Sequence, residues 1–256
     1  LACCDVLIDH GDASGNTENV TCSTAGTTCA IEMLNIVDGG RYREGPGQVS
    51  GGHNHASPQY RLSFTGADSN GFNIVGTFQS LAVPFSSTTE HLAVYNQGAT
   101  GADAYADGDE SQAAPTTYVM TRSDTTTFSV ADDGGGDEHQ ILPVMGNFRF
   151  ATASPNQRVY IVDTPTPYLC NPGTSGTITR YWNYPIRTTQ PTDTAVAPLV
   201  SGSNQLLTTP VTACHFTYQP GTDQRAGTIT LDITVGDADS GERVRLLYQV
   251  HVDNAP

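Results

Sequence analysis

Short apolar runs separated by glycine- and proline-rich turns are the feature that most limits what this chain can fold into. Residues 158–163 (RVYIVD) and 177–182 (TITRYW) are rich in β-branched and aromatic side chains, and residues 227–235 (GTITLDITV) alternate apolar with polar ones. Both patterns are typical of strands, and the runs are shorter than most helices. The sequence therefore predicts a mainly β fold, a sandwich or barrel-like domain with long loops.

The organisation of the chain follows from where these runs lie. The first thirty residues hold turn clusters without periodicity and are predicted as a cysteine-containing loop region, followed by a single β-rich domain over residues 31–256. Residues 190–203 are predicted as a long irregular connection. A hairpin is predicted from residues 227–235 and 243–252, with their apolar faces paired. Further strands are predicted at residues 30–37, 60–64, 72–78, 91–95, 116–120, 125–130, 146–150 and 211–218.

The charge balance argues against nucleic acid as a partner. Charged residues make up 14% of the 256 residues, the formal net charge is -15, and all 11 basic residues are arginine. Binding to nucleic acid needs a basic footprint, which this composition lacks. No run in the sequence approaches the roughly 18 apolar residues of a membrane-spanning helix.

An even number of cysteines in a polar, lysine-free chain predicts disulfides and an oxidising compartment. The six are Cys3, Cys4, Cys22, Cys29, Cys170 and Cys214. One plausible framework joins Cys3 and Cys4 to Cys22 and Cys29, in either order, and Cys170 to Cys214. Other connectivities, free buried thiols and a metal site are the alternatives, although no C-x-x-C pair of a zinc site occurs.

Acidic loops supply the candidate metal ligands. Asp107, Asp109 and Glu110 lie in one polar loop, and residues 237–242 form a second candidate. Oxygen-rich loops of this kind bind Ca²⁺, but neither matches the spacing of an EF-hand, and solvated acidic turns are the alternative. His53 and His55 form an H-x-H pair in a glycine-flanked loop, a weaker candidate. A structural Ca²⁺ is the one cofactor considered.

No catalytic constellation stands out from the sequence, so the chain is expected not to be an enzyme. It lacks a G-x-S-x-G nucleophile elbow, and carboxylate pairs are unavoidable in a chain with 26 acidic residues. Tyr181, Trp182 and Tyr184 would stack on sugars if exposed, and packing in the core or an edge strand is the alternative. This trio supports a second hypothesis, a secreted adhesive or carbohydrate-binding β module. A secreted hydrolase is a third.

Four segments of the chain form an ordered set of motifs. They are residues 33–44 (MLNIVDGGRYRE), residues 72–109 with LAVYNQGATGADAY, residues 156–186 with RVYIVD and GTITRY, and residues 214–256, which end in QVHVDNAP. Together they resemble the minor pilins, or pseudopilins, of mannose-sensitive haemagglutinin type IV pilus biogenesis.

This resemblance implies a fold, a role and a location. The fold is a type IV pilin-like globular head of antiparallel sheets, with the apolar N-terminal helix missing from this chain. The role is non-enzymatic, in the assembly or the tip of a type IV pilus. The partners are other minor pilins and the major pilin of the same filament, and the membrane is contacted only through the absent helix. The location is the bacterial inner membrane and periplasm before assembly, then the cell-surface pilus.

Overall fold

A computed structural model describes residues 6–9, 19–44, 60–98, 101–134, 137–219, 227–237 and 240–252. The molecule is 48% strand, which confirms the predicted mainly β fold of antiparallel sheets. The strands, in chain order, are β1 (Val6–Asp9), β2 (Asn19–Cys22), β3 (Cys29–Arg41), β4 (Phe72–Asn73), β5 (Phe85–Ser86), β6 (His91–Ala93), β7 (Thr127–Asp132), β8 (His139–Met145), β9 (Arg158–Asn171), β10 (Thr177–Trp182), β11 (Ser203–Thr208), β12 (Val211–Gln219), β13 (Gly227–Gly236) and β14 (Arg243–Val252). The helical elements with described bounds are α1 (Ala104–Gly108) and a 3-10 turn (Leu199–Ser201).

The described strands form three sheets within two compact units. The sheet orders are β1-β3-β9-β10-β11 with β6 beside β9, then β14-β13-β12-β2, and β4-β8-β7-β5. The first unit comprises residues 1–35 and 164–255, and the second comprises residues 36–163, so that the chain passes between them within β3 and again near the middle of β9. The predicted division at residue 30 stays a prediction.

The first unit is built around a core of disulfides and strand side chains. Cys29 and Ile31 of β3, Cys170 of β9 and Phe216 of β12 are each at most 2% exposed. Cys29 and Ile31 are two positions apart on β3, and side chains two positions apart on a strand point to the same side. One side of β3 therefore faces this core. Val20 of β2 joins the same cluster.

The second unit is built around an aromatic core. Phe72 lies between Tyr42 and Phe148, with ring centroids 6.5 and 5.5 Å away and both pairs edge to face. Phe148 in turn lies 6.3 Å from Phe150. Edge-to-face contacts between aromatic rings contribute about 0.5–1.5 kcal/mol beyond their buried area. Several of these rings are delivered by loops, since Phe148 and Phe150 lie outside the named strands.

Three of the predicted strands are absent from the second unit as described. Residues 60–64, 116–120 and 146–150 form at most isolated bridges, such as Asp68 with Phe148 and Tyr118 with Phe150. Most of their apolar residues are buried, and Tyr60 and Phe64 are partly buried, but in loops that close onto the aromatic core. Apolar alternation therefore predicted correctly that these segments face the core, but predicted wrongly that they pair as strands.

Strands also form where the sequence predicts none. β1 and β2 lie in the predicted loop of the first thirty residues, and β11 begins at the end of the predicted irregular connection. β8 contains Pro143, and β9 continues through Pro165 and Pro167. Proline lacks a backbone N–H donor, so its presence in the sequence argues against a strand. These segments form strands because strands elsewhere in the chain pair with them.

Candidate functional site

The sheet β14-β13-β12-β2 has one apolar and one polar side. Along β13 Leu231 and Ile233 flank Asp232, and successive side chains of a strand point to opposite sides. The register carries this pattern across the hairpin, where Ile233 pairs with Leu246. The predicted hairpin and the pairing of its apolar faces are confirmed.

The apolar side of this sheet extends beyond the core that it covers. Val20 and Phe216 on β2 and β12 are 3% and 1% exposed, whereas Val244, Leu246 and Tyr248 on β14 are 57%, 53% and 68% exposed. Contiguous apolar surface of this kind marks an interaction site, whereas scattered single residues do not. The exposed apolar side chains of the hairpin form the strongest candidate for a functional surface.

The polar side of the same sheet carries a row of hydrogen bonds centred on His215. The Oγ1 atom of Thr21 lies 2.5 Å from Nδ1 of His215, and that of Thr217 lies 3.1 Å from Nε2. Both hydroxyls donate or accept, so the imidazole keeps its partners in either tautomer. The contact with Thr21 joins β2 to β12, and the contact with Thr217 runs along β12 itself.

An ion pair continues the polar row onto β14. Arg245 donates from Nε to Oδ1 of Asp232 at 2.8 Å, and a second bond joins its Nη2 to Oδ2. The hydrogen bond from Arg245 is the main reason that the pKa of Asp232 is lowered, and the positive charge of Arg245 lowers it further. The row therefore carries charge on one side of a sheet whose other side is apolar.

Two disulfides between described residues brace the first unit. Cys170 of β9 is bonded to Cys214 of β12, with Cα atoms 6.5 Å apart, as predicted. The prediction that Cys22 and Cys29 bond to Cys3 and Cys4 is wrong, because Cys22 is bonded to Cys29. These two residues end β2 and begin β3, and the turn between them brings their Cα atoms within 5.9 Å. Such bonds indicate folding in an oxidising, non-cytoplasmic compartment.

The candidate calcium ligands are engaged in local hydrogen bonds. Asp107 accepts the backbone N–H of Val119 at 2.6 Å, and Asp109 accepts both the N–H and the hydroxyl of Ser111. Glu110 accepts the hydroxyl of Ser123 at 2.5 Å. Burial raises the pKa of Asp107.

Within the described ranges, no group of three or more His, Cys, Asp or Glu side chains is placed to hold a metal ion. The calcium site stays a prediction that these contacts do not support.

Two further acidic segments, around Glu138 and at residues 237–242, have structural contacts as well. Glu138 accepts two hydrogen bonds from the guanidinium of Arg43, one from Nε at 2.8 Å, and a third from the amide of Asn73. Both ends of this ion pair are nearly inaccessible to water. In the 237–242 turn the N–H of Asp237 donates to the carbonyl of Glu242, and residues 238 and 239 lie outside the described residues.

The three candidate sugar-binding aromatics do not form a common platform. Tyr184 is only 3% exposed and packs in the core with Ala30, Leu169 and Leu199. Tyr181 packs against the same cluster, and the ring of Trp182 lies 5.2 Å from the guanidinium of Arg180. Tyr184 therefore follows the alternative stated for these residues, packing in the core, and sugar binding by the three residues stays a prediction.

Sequence reasoning missed a buried polar centre at Glu32. This carboxylate is 0% exposed and accepts hydrogen bonds at Oε2 from the hydroxyl of Tyr184 and, at 3.1 Å, from the amide of Gln190. A single acid inside the apolar run of residues 30–37 was the available signal. Because buried carboxylates need such donors, this centre orders the chain around β3.

A polar cavity of about 470 Å³ lies beside the Cys22–Cys29 turn. Its lining includes Thr27, Thr28, Asn171 and residues 192–194. The hydroxyl of Thr28 donates to the side-chain oxygen of Asn171 at 2.5 Å, which ties the turn to the end of β9. The cavity offers hydroxyl, amide and carboxylate groups to a polar ligand.

The remaining candidates fall outside the described residues, namely Cys3, Cys4, His53 and His55. Among the helices of the described segments, none has the length and hydropathy needed to cross a membrane. Comparison with known proteins identifies no relative, since no family profile, curated protein or solved structure matches the chain.

Proposed function

We propose that this chain is the head of a non-enzymatic minor pilin or pseudopilin that takes part in assembly or tip structure of a type IV pilus. The single observation that carries the proposal is the row of exposed apolar side chains on β14, namely Val244, Leu246, Tyr248 and Val250. A pilin head packs against an apolar helix and neighbouring subunits, and a sheet with one apolar side open to solvent offers the surface for that packing. The ordered family-like motifs support the same assignment.

The proposal also assigns partners and a location. Other minor pilins and the major pilin of the same filament would cover the apolar side. The two disulfides suit a head that folds in the periplasm and works on the cell surface.

The reading frame that encodes this chain tests the proposal. It should specify an apolar segment of about 20 residues ahead of Leu1, preceded by a short basic leader. A frame that starts at Leu1 or places a polar domain there would contradict the assignment.

A secreted carbohydrate-binding module is the second candidate, and the polar cavity beside the Cys22–Cys29 turn is the observation that favours it. Hydroxyl and amide groups around a cavity of this size suit a small saccharide. A glycan array should then show binding that Asn171→Ala abolishes and that Trp182→Ala leaves unchanged. Absence of binding by the wild-type chain would remove this candidate.

A further inference from the structure

Strand β14 leaves a long edge of its sheet unpaired by any other described strand. All 10 of its residues pair with β13. Proteins usually protect such edges with charged side chains, proline, a bulge or a very short strand. β14 contains no proline, its register with β13 runs from end to end without a shift, and one of its two arginines, Arg245, is already paired with Asp232.

Leu247 is an apolar residue of β14 that no neighbour in its own sheet buries. It lies on the polar side between Arg245 and Gln249, it is opposite Asp232 of β13, and it is 66% exposed. A leucine beside a carboxylate gains little from that neighbour. The free edge is the direction from which an apolar side chain can still cover it.

We propose that β14 pairs antiparallel with β14 of a second copy, about a two-fold axis at Leu247. In this register Leu247 faces its own counterpart, Leu246 faces Tyr248, and Val244 faces Val250. A shift by one residue would place Leu246 opposite Leu247 or Gln249, both of which belong to the polar side, and would mix the two sides of the sheet. The register therefore continues both the apolar and the polar side across the axis.

The side-chain pattern of β14 favours a second copy as the occupant, because it reads alike in both directions from Leu247: leucine and tyrosine, then arginine and glutamine, then two valines. β14 carries Arg243 and Arg245 and no carboxylate, and Arg245 is already paired with Asp232. Across the axis Arg245 faces Gln249 and Arg243 faces His251, so no two arginines lie directly opposite each other.

The pairing uses the backbone groups of the free edge and leaves the apolar side of both sheets open. It is therefore compatible with the proposed pilus function and does not depend on it. The isologous arrangement closes on itself, which gives a dimer and not an open fibre.

Analytical ultracentrifugation of the purified chain tests the proposal. Wild type should form a dimer, and Leu247→Lys and Leu247→Glu should each raise its dissociation constant roughly tenfold or more, because like charges then meet at the axis. Leu247 is exposed in the single chain, so circular dichroism of both variants should match wild type. Val144→Lys is the matched control at 68% exposure in the second unit, and it should leave the dimer intact.

Mixing the two Leu247 variants provides the sharper measurement. A heterodimer with lysine opposite glutamate should form where neither variant dimerises alone, and it should weaken as salt is added. The proposal is overturned if the wild-type chain stays monomeric at every concentration. A chain that binds a different protein but not a second copy of itself would overturn it as well. It is equally overturned by unchanged dissociation constants in the Leu247 variants or by no recovery on mixing.

Discussion

At the scale of single residues, burial distinguishes the polar side chains that stabilise the fold from the surface ones that contribute little to stability. Glu32 and His91 are 0% and 6% exposed, and each is held by hydrogen bonds inside the protein. A buried polar group is costly when its partner is removed. Substitutions at such partners should therefore have larger effects than the same substitutions at half-exposed positions.

Removing the hydroxyl of Tyr184 should destabilise the protein. Tyr184→Phe leaves the Glu32 carboxylate without one donor, and we expect the free energy of unfolding to fall by about 1–3 kcal/mol. Tyr181→Phe is the control, because Tyr181 is only partly buried and packs without that contact. Urea unfolding of both variants measures the difference. Equal losses would mean that the Glu32 contact contributes nothing specific.

His91 should make stability depend on pH. Burial lowers its pKa in the folded protein, and its Nδ1 lies 2.7 Å from the carbonyl of Thr121. An unfolded histidine titrates near about 6.5, so below that pH the unfolded state takes up a proton that the folded state does not. Stability should fall as the pH is lowered through this window, by at most about 1.4 kcal/mol per pH unit.

The His91→Asn variant separates this effect from other titrations. Its amide can still donate to Thr121 but does not titrate, so the pH slope between 7 and 5.5 or so should be smaller than in wild type. Identical slopes for the two proteins would show that His91 is not responsible.

At the scale of elements, the strands with a clear period of two could be predicted, and those made by distant partners could not. The β13–β14 hairpin was predictable because Ile229 and Leu231 alternate with polar residues and the turn is short. The Cys22–Cys29 bond was not, because it depends on where β2 and β3 lie. Glu32 was visible as an acid in an apolar run, but Tyr184 and Gln190 lie more than 150 residues away.

The two disulfides should stabilise the fold unequally. Cys170–Cys214 closes a loop with a separation of 44 residues and Cys22–Cys29 one of 7. In the chain-entropy model the longer loop is worth about 4 kcal/mol and the shorter about 2 kcal/mol. Replacing both cysteines of a pair by alanine should therefore lower the melting temperature more for Cys170–Cys214. A larger loss from the Cys22–Cys29 pair would contradict this order.

At the scale of the whole molecule, the central feature is a sheet whose apolar side is more extensive than the core beneath it. The alternation in β13 and β14 could be read from the sequence, but the exposure of Leu246 and Tyr248 could not. Apolar periodicity predicts which side chains share a face and is silent on whether anything covers that face. The structure shows that the apolar side chains of β14 are exposed, and we propose, from the family resemblance, that pilus subunits bind there.

The most direct test of this account is complementation in the organism that encodes the chain, which the proposed function requires to be a bacterium. A strain lacking the gene should lose surface pili in electron micrographs, and the full-length wild-type gene should restore them. Leu246→Asp should fail to restore them although the protein is made, because it places a charge on the apolar side, whereas Val144→Asp in the second unit should succeed. Normal piliation in the deletion strain, or full rescue by Leu246→Asp, would contradict the proposed function.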